Sequence, residues 1–165
     1  MRMQGAVSTL TAVALVLCLG ATAHAQLAKE GTYAGAYGWS VSSTVHQLDA
    51  EHVFTQDVYK GTFFNDAGKG FLHESSWVCP GVTELVKGKG DAHGHCIVTD
   101  KDKDKAFLAW KGTVDPATGF NGDYQWTGGT GKYTGIKGDN TFRATFIGST
   151  SEGRGLLKGE WKLPK

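Results

Sequence analysis

Tyr33-Ala34-Gly35-Ala36-Tyr37-Gly38-Trp39-Ser40-Val41-Ser42-Ser43-Thr44-Val45 decides the fold. Tyr33, Gly35, Tyr37, Trp39, Val41 and Val45 fall on one face of an extended chain. Ala34, Ala36, Gly38, Ser40, Ser42 and Thr44 fall on the other. A period of two belongs to a strand with one buried face, and no later segment sustains the 3.6-residue period of an amphipathic helix.

The alternation recurs in short runs over His52–Tyr59, Thr62–Asn65, Gly70–Val78, Val82–Lys87, Ala92–Thr99 and Lys105–Thr113. Phe120–Trp126, Asn140–Gly148 and Gly155–Leu163 complete the set. Turn residues join them: Asn65-Asp66-Ala67-Gly68, Asp115-Pro116-Ala117-Thr118-Gly119 and Gly148-Ser149-Thr150-Ser151-Glu152-Gly153. About eight to ten closely spaced strands predict an all-β meander that curls into a small antiparallel barrel, because closure removes exposed strand edges. Glycines inside strands, such as Gly35, Gly38 and Gly122, suit tight coiling of such a sheet.

Upstream of this domain, residues 1–25 read as a cleavable signal peptide. Arg2 starts it, Ala12 to Leu19 is an unbroken apolar run, and Ala23-His24-Ala25 places the cut before Gln26. The run is too short to span a membrane, so the expectation is a periplasmic or secreted protein without a membrane anchor. Of 165 residues, 140 remain as one domain, 26–165, with 16 basic and 16 acidic side chains. A net charge of zero gives nucleic acid no long-range attraction.

Cleavage also removes Cys18 and leaves Cys79 and Cys96. Two cysteines in an oxidising compartment predict a disulfide, and closing 17 residues should stabilise the fold by about 3 kcal/mol. The competing use is a metal site built from His93, His95, Cys96 and Cys79. On a strand the two histidines point away from Cys96, so a disulfide is expected and no metal.

Other motifs fall short. Asp100-Lys101-Asp102-Lys103-Asp104 has the carboxylate spacing of a calcium loop, but Lys105 and Lys111 stand where it needs glycine and glutamate. Gly129-Thr130-Gly131-Lys132-Tyr133 lacks the earlier glycine and the hydroxyl residue of a phosphate loop. No Gly-x-Ser-x-Gly elbow occurs.

Gly128-Gly129-Thr130-Gly131-Lys132-Tyr133-Thr134-Gly135-Ile136-Lys137-Gly138 resembles the Gly-Gly-Thr-Gly-x-aromatic-x-Gly signature of the allene oxide cyclase and dirigent barrel superfamily. The chain also resembles small exported bacterial proteins of this barrel class. The resemblance implies an eight-stranded antiparallel barrel, the fold-level competitor being a calycin-like barrel. It further implies a central apolar cavity, chemistry directed by shape without a cofactor, and a homo-oligomer such as the plant members form. Tyr133 is expected to plug one barrel end while the glycines serve the bend.

Alternation then nominates the cavity lining. Tyr37, Trp39, Trp77 and Tyr124 are ligand-binding candidates, with Val41, Trp126, Phe142 and Phe146 on the same kind of face. The polar residues His73, Glu74, His95, Asp123 and Arg143 are expected to face solvent, as charged strand residues usually do; Arg143 is kept as a ligand-binding candidate and Glu74, the one carboxylate of Phe71–Val78, as a catalytic one. A carboxyl in an apolar cavity would suit a general acid, whereas Arg143 opposite it would hold it ionised and suit an anionic ligand. Three functional readings result: a binder of a small, largely apolar molecule, a cofactor-free cyclase or isomerase, and a packed structural or interaction module. An interior space of a few hundred cubic ångströms with Glu74 inside would favour the first two.

Overall fold

The computed structural model describes residues 27–148 and 151–165, so the signal segment assigned to residues 1–25 lies outside the described residues. Eight strands form a closed antiparallel barrel: β1 (Glu30–Gln47), β2 (His52–Asn65), β3 (Ser75–Val86), β4 (Lys89–Thr99), β5 (Lys105–Asp115), β6 (Gly119–Gly129), β7 (Asp139–Phe146) and β8 (Glu152–Lys162). Each pairs with its neighbours in sequence, and β8 returns to β1 from Glu30↔Lys162 to Ser40↔Glu152. Every strand therefore has two partners, and no edge is left open.

Ten sequence segments become eight strands for two reasons. Gly61 does not break β2, where it pairs with Trp39 and Trp77, and Pro80-Gly81 does not break β3. Gly70–Glu74, expected as the start of a strand, is instead a turn in which Leu72 and Glu74 adopt φ of 52° and 60°. That turn is held by Ser75, whose hydroxyl donates to the Leu72 carbonyl and accepts the Trp77 indole N–H.

The interior strands carry glycines opposite large rings. Gly31 lies against Trp161, Gly35 against Phe63, Gly81 against Trp110 and Gly153 against Trp39. A Cβ at any of the four would sit 2.2 to 2.5 Å from a ring carbon, closer than real Cβ atoms come. Absent side chains thus make room for the rings, and a narrow barrel holds five tryptophans without splaying its strands.

One barrel end is shut. Phe71, from the β2–β3 loop, stacks on Trp161 with centroids 4.2 Å apart and also touches Tyr33, Trp126 and Tyr133. The glycine motif forms a short 3₁₀ turn, Gly131–Tyr133, which sinks Tyr133 into this cluster, as expected of a ring carried on a tight glycine bend. Tyr133 Oη donates to the buried Asp100 carboxylate at 3.0 Å, and Lys132 Nζ reaches the same carboxylate at 2.6 Å. The Asp102 and Asp104 amides also donate to Asp100, so the acidic run closes on Lys132 and on its own backbone. Substituting Tyr133→Phe should cost about 1.5 kcal/mol, the worth of a hydrogen bond to a charged group. Urea denaturation checks this, and an unchanged midpoint would remove that bond from what holds the end shut.

Candidate functional site

The opposite end carries the hairpin turns, and beneath it lies an interior cavity of about 70 Å³. Tyr37 and Trp39 reach it from β1, Trp77 from β3 and Tyr124 from β6, because each occupies an inward position of its strand. Trp110, Leu108 and Leu157 complete the buried wall, while half-buried Tyr59, Phe120 and Phe142 stand toward the mouth. The space is well below the few hundred cubic ångströms set as the mark of a roomy barrel, and smaller than the ~150 Å³ that encloses a benzene ring. It is dry in character, with walls almost wholly apolar.

The carboxylate and the arginine kept as candidates face solvent and do not line the cavity. Glu74 leaves the turn with an exposed side chain and lies 3.9 Å from His73. Arg143 sits between inward Phe142 and Ala144 on β7, and is therefore exposed on the outer face. The two do not meet. His95 is also exposed, on the outer face of β4. Asp123 is exposed on β6, between the inward positions Gly122 and Tyr124.

Cys79 and Cys96 form a disulfide across β3 and β4, and both line the cavity. Their sulfurs point inward while His93 and His95 point out, as strand alternation requires.

A different carboxylate is buried beyond the cavity, where it does not line the wall. Asp57 lies on β2 two positions from Tyr59, on the same inward face, and is only 5% exposed. Ser43 Oγ donates to its Oδ1 at 2.5 Å, while Thr55 and Thr83 hydroxyls donate to Oδ2 at 2.7 and 2.8 Å. One side chain thereby ties β1, β2 and β3 together where they extend past the barrel. Burial and the Asp57 charge push the Tyr59 phenol up to about 12, with the Thr83 hydroxyl pulling partly back. Asp57→Ala should destabilise the fold by about 2 kcal/mol, since Thr83 loses its acceptor in a buried position. Asp57→Asn should recover part of that loss. Equal urea midpoints for wild type and Asp57→Ala would show that the hydroxyls find other partners at no cost.

Four buried polar atoms have no hydrogen-bond partner among the described residues: Tyr37 Oη and Trp110 Nε1, on residues that line the cavity, and Trp126 Nε1 and Asn140 Oδ1, on residues that do not. Buried donors are normally paired, and leaving one unpaired costs about 1–3 kcal/mol. Burial, aided by the neighbouring Tyr59, raises the Tyr37 pKa far above its ordinary value and keeps the phenol protonated.

This architecture has solved counterparts. The pterocarpan synthase dirigent protein PsPTS1 superposes with a TM-score of 0.54 at 10% identity, covering 85% of this chain and 99% of that one. The pterocarpan synthase dirigent protein GePTS1 gives 0.53 at 8% identity, covering 85% and 89%. The barrel is of the dirigent type. No family model matches the sequence, and no curated protein sequence does.

Within this dirigent-type barrel, sequence reasoning nominated Tyr37, Trp39, Trp77 and Tyr124 for the cavity and did not single out Tyr59, Trp110 or Phe120, which also line it, nor the buried Asp57 beyond it. The missed signal was present in β2. Extending one alternation through Gly61 aligns Val53, Thr55, Asp57, Tyr59 and Phe63 and shows a lone carboxylate on an inward face.

Proposed function

We propose that this protein is an exported barrel that binds the apolar end of a small molecule in the cavity below its hairpin end. The observation that carries the reading is the interior cavity of about 70 Å³ itself, ringed by Tyr37, Trp39, Trp77, Trp110 and Tyr124 with almost no polar surface. With about 70 Å³ enclosed, the ligand enters by one end and leaves the remainder between the mouth residues Tyr59, Phe120 and Phe142. The inward disulfide agrees with an oxidising compartment and hence with export. A cyclase-type activity would require a free carboxylate at the cavity; Asp57 is engaged by three hydroxyls, and this favours binding over turnover.

Native mass spectrometry of protein recovered from the exported fraction tests the reading. A co-purifying small-molecule adduct is expected, displaced on adding apolar aromatic competitors. A bare polypeptide mass, together with no response of the cavity tryptophans to such compounds, would leave the packed interaction module in its place.

A further inference from the structure

Resting on that binding reading, we infer that the Cys79–Cys96 bond regulates the site. Oxidised, it closes the cavity wall and retains the ligand; reduced by a dithiol, it opens the wall and lets the ligand go. Strand register sets both cysteines in the middle of that wall. Cys79 pairs across to Tyr59 and Cys96 across to Leu108, while Trp77 precedes Cys79 on the same inward face. All five residues line the cavity. Between the cysteines the β3–β4 ladder breaks off after Val78↔Ile97 and resumes at Gly81↔Gly94, so a covalent bond spans the gap in the wall.

One ring carries an opening of this seam to the mouth. Trp110 rests on Gly81 and Gly94, the first pair beyond the gap; a Cβ there would sit 2.3 or 2.8 Å from its Cζ2. The Trp110 ring meets Tyr59, Phe120 and Phe142 edge to face, with centroids 6.2, 5.9 and 6.5 Å away. Sulfurs that are no longer bonded stand farther apart, and a close-packed wall passes the displacement on. Reduction thus shifts the glycines under Trp110 and loosens the rings that hold the outer part of the ligand.

Both cysteines are 5% exposed, so the seam parts before a reductant reaches them, and a gap in the ladder is where local opening costs least. A thiolate of the dithiol then attacks one sulfur, and the other leaves as a thiolate. The second thiol of the reductant displaces the first cysteine and forms the reductant's own disulfide. Two electrons pass to the cysteines, and the two protons of the dithiol end on Cys79 and Cys96.

The test measures toluene binding, read from tryptophan fluorescence and the Trp110 indole N–H resonance, before and after treatment with dithiothreitol. Reduction should weaken binding about tenfold with the far-ultraviolet circular dichroism unchanged, and reoxidation should restore it. The Trp110 resonance should move on reduction while that of Trp161, at the shut end, stays. Linkage is reciprocal, so saturating toluene should shift the equilibrium with dithiothreitol about tenfold toward the protein disulfide. Equal affinity in the two states, a reduced chain that unfolds outright, or the same response to dithiothreitol in the Cys79→Ala, Cys96→Ala variant would overturn the switch and leave the cavity a binding site. Failure of toluene to perturb any cavity tryptophan of the oxidised protein would overturn the binding reading, and the switch with it.

Discussion

Alkaline titration of the native protein is expected to produce no tyrosinate near pH 10 and then all of it in one step as the barrel unfolds. Every tyrosine in the sequence is affected. Burial raises the pKa of Tyr33, Tyr37, Tyr124 and Tyr133 far above the ordinary value and that of Tyr59 to about 12. Tyr33 and Tyr124 hydrogen-bond each other deep in the core, and Tyr133 faces the Asp100 carboxylate. The sign follows from proton counting. Below pH 10 both folded and unfolded chains hold these protons, and the fold has its full stability. Above it the unfolded chain releases them while the native chain does not, so stability falls as pH rises toward 12 and beyond. Each tyrosine contributes about 1.4 kcal/mol per pH unit, and five together about 7. A domain with a typical stability of about 5–15 kcal/mol loses it within roughly two units. Tyrosinate absorbance and far-ultraviolet circular dichroism recorded together decide the matter. Any tyrosine ionising near pH 10 with the circular dichroism unchanged would show that water reaches the interior of the folded barrel.

Loss of the disulfide is expected to be the most damaging small change. Pairing of β3 with β4 runs Ser76↔Thr99, Trp77↔Val98 and Val78↔Ile97 and resumes at Gly81↔Gly94, skipping the two positions between. Cys79 and Cys96 fall in that gap, and Pro80 beside them has no N–H to donate. The covalent bond holds the seam where backbone hydrogen bonding is interrupted. Restricting the unfolded chain over a separation of 17 residues adds about 3 kcal/mol. The double variant Cys79→Ala, Cys96→Ala should lose at least about 3 kcal/mol in urea denaturation, with hydrogen exchange accelerating first along β3 and β4. A loss below about 1 kcal/mol, or exchange rising equally in all strands, would show that the seam is held by packing instead.

How far the sequence could be read depended on what each residue's neighbours in sequence can report. Tyr33 through Val41 declared their inward face because one uninterrupted alternation carries it, and β1 has that face in the folded barrel. The pairing of Cys79 with Cys96 was equally accessible, since they are the two cysteines that follow residue 25 in the sequence. Glu74 was kept as a candidate only because it is the one carboxylate of Phe71–Val78; strand parity counted back from inward Trp77 already turns it outward, and it is exposed in the fold. Asp57 was overlooked because its burial depends on three strands extending together beyond the barrel, and its three hydroxyl donors come from β1, β2 and β3. Cavity volume was beyond reach for a similar reason. It is set by how rings from different strands interlock, a property of tertiary packing that no local pattern encodes.

The fit of rings onto bare backbone bears on how this interior can change over generations. Trp110 rests on Gly81 and Gly94, and Trp39 on Gly153. Adding a methyl under an unaltered ring has no space to occupy, and trimming the ring over an unaltered glycine leaves a flat, uncovered slot in the wall. Single replacements are therefore penalised from either side, while a smaller ring together with a larger wall residue restores contact. Variation in the lining should proceed by paired exchanges between strands, and a barrel with a different ligand shape would differ from this one two positions at a time.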